Sequence, residues 1–193
     1  MKAKWLLALL LGSIIVACSS CESGQSGQTG DVRTPDGLYT RYNLHFIAED
    51  GKNKASYANW TEWPGHDMLP YNSKIRIEAL GSRIYVVDMS ANRPITMEFN
   101  SSRMGMSPKD YVSMITSPTP VSYEGLSDVD QQGIQAGKAM VGMSKQGVMI
   151  ALGYPAKHRT PSTDGNTWIY WKGRHDAYAV EFDDNGKVTA IQN

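Results

Sequence analysis

The pattern of apolar and polar positions divides the chain into three stretches. From Leu38 to Phe99 apolar residues alternate with polar ones over short runs: Leu38 to Phe46, Lys74 to Glu78, Ile84 to Val87, and Ile95 to Phe99. Period-two alternation predicts half-buried strands. Asp50-Gly51, Gly81-Ser82 and Ala91-Asn92 supply turns between them. Four or five short strands over about 60 residues predict a small antiparallel barrel or curled sheet of SH3-like size, since an open meander would leave two edges unprotected.

Around residue 107 the period changes. Ser107-Pro108-Lys109-Asp110 places a capping hydroxyl, a proline at the first helical position and a carboxylate that answers the cap, so a helix is predicted that stops before Pro118. The proline-bearing TSPTPVSYEG then reads as a connector, with a boundary near Gly125. Asp128 to Ala139 predicts a further helix. The stretch GMSKQGVMIALGYP, Gly142 to Pro155, predicts another: Ser144 caps it, Val148, Met149, Ala151 and Leu152 give its apolar stripe, and Gly153 and Pro155 end it. Thr167 to Trp171, Ala177 to Phe182 and Lys187 to Ile191 then predict three strands joined by short turns.

The N-terminus has a different design. Lys2 and Lys4 precede an apolar run from Trp5 to Leu11 that resumes at Ile14, the layout of a secretory leader. The run is shorter than the ~20 residues that span a bilayer. It ends in Ile15-Val16-Ala17-Cys18, which resembles the lipobox of bacterial lipoproteins. That resemblance implies cleavage after residue 17 and lipid attachment to Cys18, whose sulfur forms the thioether. At ~0.8 kcal/mol per buried methylene, two or three acyl chains give lasting attachment. Ser19 lacks the aspartate that retains such lipoproteins at the inner membrane, which implies the outer membrane, periplasmic face. With Cys18 acylated, Cys21 has no partner in its own chain; it pairs between molecules or stays free. Residues 18–35, rich in Ser, Gly, Gln and Thr, read as a flexible tether.

The chain of 193 residues balances 19 basic against 19 acidic side chains, so no basic field is expected to hold a phosphate backbone and nucleic acid is not expected as a partner. No nucleophile elbow, His-Glu-x-x-His run or calcium loop is present, and GIQAGKA at Gly133 lacks the spacing and the Ser or Thr of a phosphate loop. The four histidines, His45, His66, His158 and His175, are scattered. No enzyme, metal or cofactor is expected. The methionines are core filler.

Aromatic residues supply the candidate binding chemistry. Trp60, Trp63 and Tyr71, in ANWTEWPGHDMLPYN, either stack on sugar rings or receive a peptide, or else plug the end of a small barrel; the plug is preferred, because a domain of this size has few other large side chains. Strand alternation sends Trp168 and Tyr170 to one face and Ile169 and Trp171 to the other, so one face covers the helices and the other offers an aromatic surface. Trp168, Tyr170 and Trp171 are the candidates for contact with a protein.

Gly142-Met143-Ser144-Lys145, Val148, Leu152, Gly153 and Pro155, followed by Trp168-x-Tyr170, resemble the SmpA/OmlA (BamE-like) family, with Ile134 and Gly137 matching an earlier step. The resemblance covers residues 127–193. It implies an ααβββ domain and a non-catalytic role in envelope integrity through contacts with protein, the β-barrel assembly machine among them. The expected class is therefore α+β: a leader (1–17), a lipidated tether (18–35), an SH3-like β-rich domain (36–125) and a BamE-like ααβββ domain (126–193). Two alternatives stand beside the docking role: a peptidoglycan- or glycan-binding lipoprotein using Trp60, Trp63 and Tyr71, and an inhibitor-like binding module.

Overall fold

The computed structural model describes residues 37–193. The leader, Cys18, Cys21 and the tether lie outside the described residues. In chain order the elements are β1 (Leu38–Thr40), β2 (Leu44–Glu49), β3 (Lys52–Ser56), β4 (His66–Leu69), β5 (Lys74–Ala79), β6 (Arg83–Asp88), β7 (Arg93–Glu98), α1 (Ser101–Met104), α2 (Pro108–Ile115), β8 (Thr116–Ser117), α3 (Asp128–Ala136), α4 (Lys145–Leu152), β9 (Thr167–Gly173), β10 (Asp176–Phe182) and β11 (Val188–Gln192). No helix among them is long and apolar enough to cross a membrane.

The expected α+β class is corrected. The molecule is mostly β, with about 18% helix in four short helices, and its C-terminal part is not a BamE-like ααβββ domain. An eight-stranded sheet, ordered β4-β2-β3-β7-β6-β5-β1-β8, curls into a half-barrel, and a three-stranded sheet is ordered β11-β10-β9. The large sheet exceeds SH3-like size because strands form where alternation gave no signal. β3 is KNKAS, which carries no apolar run, yet it pairs antiparallel with β2 and parallel with β7. β4 comes from the aromatic stretch, where no strand is predicted, and β8 is two residues long. The single run expected over Leu38 to Phe46 breaks into β1 and β2, because the Arg41 amide donates to Ile115 O (2.8 Å) and the Asn43 amide to Ile150 O (2.8 Å).

Helix ends follow local chemistry. The Ser107 hydroxyl accepts from the Asp110 amide at the head of α2, with Pro108 in the first turn. Ser127 and Asp130 form a reciprocal capping box at α3, which Gly137 closes in the left-handed conformation, three residues short of the expected end. Ser144 caps α4 by accepting from the Gly147 amide. Gly153 ends that helix at φ +79° and ψ −172°, where a side chain would be strained and would strike Asn59.

Two apolar cores result. The first is mainly aliphatic: Ile75, Ile77, Ile84, Val86, Ile95 and Met97 line the half-barrel with Leu44 and Phe46, and Met104 and Tyr111 close over them. The second is mainly aromatic, with Trp168, Tyr170, Tyr178 and Phe182 against Val148, Ile150 and Leu152 of α4. Each of these side chains contributes roughly 1.5–3 kcal/mol by leaving water.

What joins the cores is polar. The last carbonyls of a helix have no partner inside it. Here side chains from the N-terminal half supply the donors: Asn43 Nδ2 donates to Ile134 O of α3 (2.8 Å) and Ala151 O of α4 (3.3 Å), His45 Nε2 to Ala151 O (2.7 Å), and Asn59 Nδ2 to Leu152 O (2.6 Å). From the other side the Tyr170 hydroxyl donates to Gly153 O (3.1 Å). Helices of nine and eight residues thus serve as a clamp between two sheets. The connector is fastened as well, with the Asn72 side chain donating to Val121 O and accepting from the Val121 amide (both 2.8 Å).

A candidate docking groove between the sheets

The segment after β3 turns sharply. The Asn59 amide donates back to Ser56 O (2.9 Å), and Asn59 takes a positive φ of 50° that its side-chain bond to Leu152 O stabilises. The chain then runs beside the open edge of β9. Trp60 bridges to Trp171 in parallel register, the Thr61 amide donates to Trp171 O (3.1 Å), and the Glu62 amide donates to Lys172 O (3.0 Å). Trp63 lies over Gly173, where any Cβ would collide with its ring. The aromatic loop and the third aromatic of β9, far apart in sequence, therefore occupy one place.

Beside this seam lies a groove of about 790 Å³, walled by Tyr57, Trp60 and Trp171 and rimmed by Arg103, Arg159 and Arg174. Its parts come from five segments. The loop after α4 is held by the His158 amide donating to Arg103 O (2.9 Å), and the His158 ring stacks on Trp171 with centroids 6.0 Å apart and planes inclined by 17°. Arg103 Nη1 donates to the buried Tyr57 hydroxyl (3.1 Å). The Arg174 guanidinium sits 5.5 Å from the Trp60 ring centre and 3.9 Å from a Glu98 oxygen. Desolvation, then the positive charges of Arg103 and Arg159, push the His158 pKa down, so the ring is neutral at neutral pH.

A second trough of about 450 Å³ continues from the first and shares Trp60, Glu98 and Arg174 with it. Its floor is the outer face of β3, β7 and β6. Registers place Lys54, Thr96 and Tyr85 in one row across the strands and Ser56, Glu98 and Arg83 in the next. Alternate residues of each strand, Ala55, Met97 and Ile84 among them, point into the core.

The sequence-predicted residues divide accordingly. Trp60 and Trp171 line the groove, whereas Trp63, 45% exposed over Gly173, is not part of its lining. Trp168 and Tyr170 are buried, at 2% and 1% exposure, because their face of β9 covers α4. Their expected contact with a partner is corrected to a packing role. Tyr71 packs edge-on against Tyr123 (centroids 5.9 Å) at the rim of the aromatic core, away from the groove. Tyr57, Arg103, Arg159, Arg174 and Glu98 were not singled out from the sequence. They lie on segments far apart in sequence that only the fold brings together.

Other regions of the molecule offer less. The void inside the half-barrel, between Ile75, Ile84, Tyr111 and Tyr154, measures about 20 Å³, room for one water. Among the described residues no three His, Cys, Asp or Glu side chains gather to hold a metal ion. His45 and His66 form a pair, Nδ1 to Nε2 at 2.8 Å, whose role is structural: His45 donates from Nε2 to Ala151 O, so its Nδ1 accepts from His66. Burial lowers the His45 pKa to about 4 and keeps it neutral.

Compared with family models, curated proteins and solved structures, the chain matches none. The functional reading therefore rests on the groove and on the sequence.

Proposed function

We propose that this chain is a non-catalytic, lipid-anchored envelope protein of the outer membrane that docks another protein in the groove between its two sheets. The observation that supports it most is the meeting of Trp60, Trp171 and three arginines from separate segments at one seam, fixed by backbone hydrogen bonds on both walls. Aromatic and arginine side chains at a preformed concave surface are the composition of protein-contact hot spots. The anchor is Cys18, after a leader of residues 1–17, and the tether gives the groove reach from the lipid surface. The SmpA/OmlA-like Gly142–Pro155 stretch directs the choice of partner toward outer-membrane protein assembly.

The test is a photoreactive residue at Arg174, exposed and at the junction of both troughs, crosslinked in intact cells. Docking predicts a protein adduct whose mass spectrum identifies one envelope protein, abolished by Trp60→Ala. Adducts to glycan alone, or none, would overturn it.

A second reading has one observation in its favour. Trp63, whose ring lies over Gly173, keeps its indole 45% exposed, a surface on which a sugar ring can stack. Loss of cell-wall pull-down in a folded Trp60→Ala, Trp63→Ala variant would support peptidoglycan binding, and unchanged pull-down would remove it.

A further inference from the structure

We infer that the two troughs form one furrow that recognises an extended acidic segment of a protein, with carboxylates at alternate positions. This deepens the docking reading and rests on it.

Charge is the first support. Lys52, Lys54, Arg83, Arg103, Arg159 and Arg174 line the furrow, and Glu98 is the one acidic residue lining it. The chain as a whole is formally neutral, so this concentration of cations is local and its counter-charges lie elsewhere. Glu98 is largely occupied: one oxygen accepts from the Ser56 hydroxyl at 2.9 Å and the other faces Arg174 at 3.9 Å. Lys54 also pairs with Glu49 at 2.9 Å, but both side chains are about half exposed, so a ligand displaces that contact at little cost. Arg83 and Arg159 are exposed, and guanidinium groups present forks that match carboxylates.

Within the furrow, at Trp60 and Trp171, the aromatic geometry disfavours stacking by bases and sugars. Stacking needs an uncovered ring face, whereas Trp60 carries Arg174 over its ring and Trp171 carries His158. The covered rings instead hold the two cationic or imidazole groups in place. Spacing supplies the third support. Alternate residues of a strand stand roughly 6.6 Å apart on one face. Lys52 and Lys54 have that separation on β3, and Arg83 and Tyr85 have it on β6. An extended peptide lying along these strands repeats at the same interval, so carboxylates two residues apart meet successive rows.

The experiment uses the full-length protein in detergent and measures fluorescence anisotropy of a labelled peptide of about a dozen residues alternating Glu and Ser. A Gln-Ser peptide, an oligouronate and an oligothymidylate are comparators. The inference predicts that the Glu-Ser peptide binds at least about tenfold tighter than all three, weakens with added salt, and loses about tenfold or more in an Arg83→Ser, Arg159→Ser, Arg174→Ser variant. Circular dichroism checks that the variant is folded, and the corresponding Arg→Lys variant, which keeps the charge but loses the forks, is expected to bind more weakly than the parent and more tightly than the Arg→Ser variant. Equal binding of the Gln-Ser peptide, tighter binding of either non-peptide polymer, or an unaffected Arg→Ser variant would overturn it. If crosslinking at Arg174 captures an envelope protein while the acidic peptide fails to bind, this inference falls and the docking reading stands.

Discussion

The two sides of the joint between the sheets treat polar groups in opposite ways. On the side of α3 and α4, Asn43, His45 and Asn59 are buried and spend their donors on helix-end carbonyls. On the groove side, Arg83, Arg159 and Arg174 stand in solvent with weak partners or none among the described residues. The difference teaches where stability ends and recognition begins. Leaving these buried donors or their acceptors unpaired would cost about 1–3 kcal/mol, and each is matched within the chain. An exposed guanidinium carries no such obligation and is free to serve a ligand. Substitutions on the first side should therefore unfold the molecule, and substitutions on the second should change only what it binds.

Asn43→Leu should break this pattern hardest. It removes the donors to Ile134 O and Ala151 O and the acceptor for the Tyr71 amide, at the centre of the clamp. A loss of about 3–5 kcal/mol is expected in denaturant unfolding.

Acid should act on the same side. The folded His45 has a pKa of about 4, below its ordinary 6.5, because burial and then the charge of His66 disfavour the imidazolium, against the bond to Ala151 O. Since the unfolded chain takes up the proton first, stability is fully present above pH 6.5 and falls as pH drops toward 4, by about 3 kcal/mol. Unfolding measured across that window should show the slope, and His45→Gln should flatten it. Asp130 acts below that range. Burial raises its pKa, but hydrogen bonds from Ser127 and Ser144 outweigh this and hold it below the usual value, so its contribution is lost only as pH falls further.

Gly147→Ala should cost somewhat less, about 2 kcal/mol. A Cβ there would strike Asp130 Oδ1, the atom that accepts from the Ser144 amide and hydroxyl and ties α4 to α3. The smallest effect on stability belongs to the groove. The Arg83→Ser, Arg159→Ser, Arg174→Ser variant should stay within about 0.5 kcal/mol of the parent per site while losing its ligand.

Much of this architecture could be read locally, and its long-range part could not. Ser107-Pro108 and Ser144 mark the heads of α2 and α4 because capping is a matter of neighbouring residues. Alternation finds β5, β6, β7, β9 and β10 because each has one buried face, and β11 although only its Val188 is buried. β3 escaped because Lys52, Asn53 and Lys54 bury nothing apolar, and its place comes from pairing with β7 across forty residues of chain. The misjudged class followed from that omission, together with helices that proved to be short clamps. The groove was half legible. Trp60, Trp63 and Trp171 stand out as large aromatics, but Arg103 of α1 and the turn residues Arg159 and Arg174 lie far apart in sequence and meet only through the Asn59 turn and the β9 edge.

Hydrogen exchange of the full-length protein with and without the Glu-Ser peptide tests the contrast between the two sides most directly. The account predicts slowed exchange in residues 56–62, 83–85 and 171–175, with residues 43–47 and 147–153 unchanged. Protection confined to residues 43–47 and 147–153, or to the edge strand β11, would contradict it.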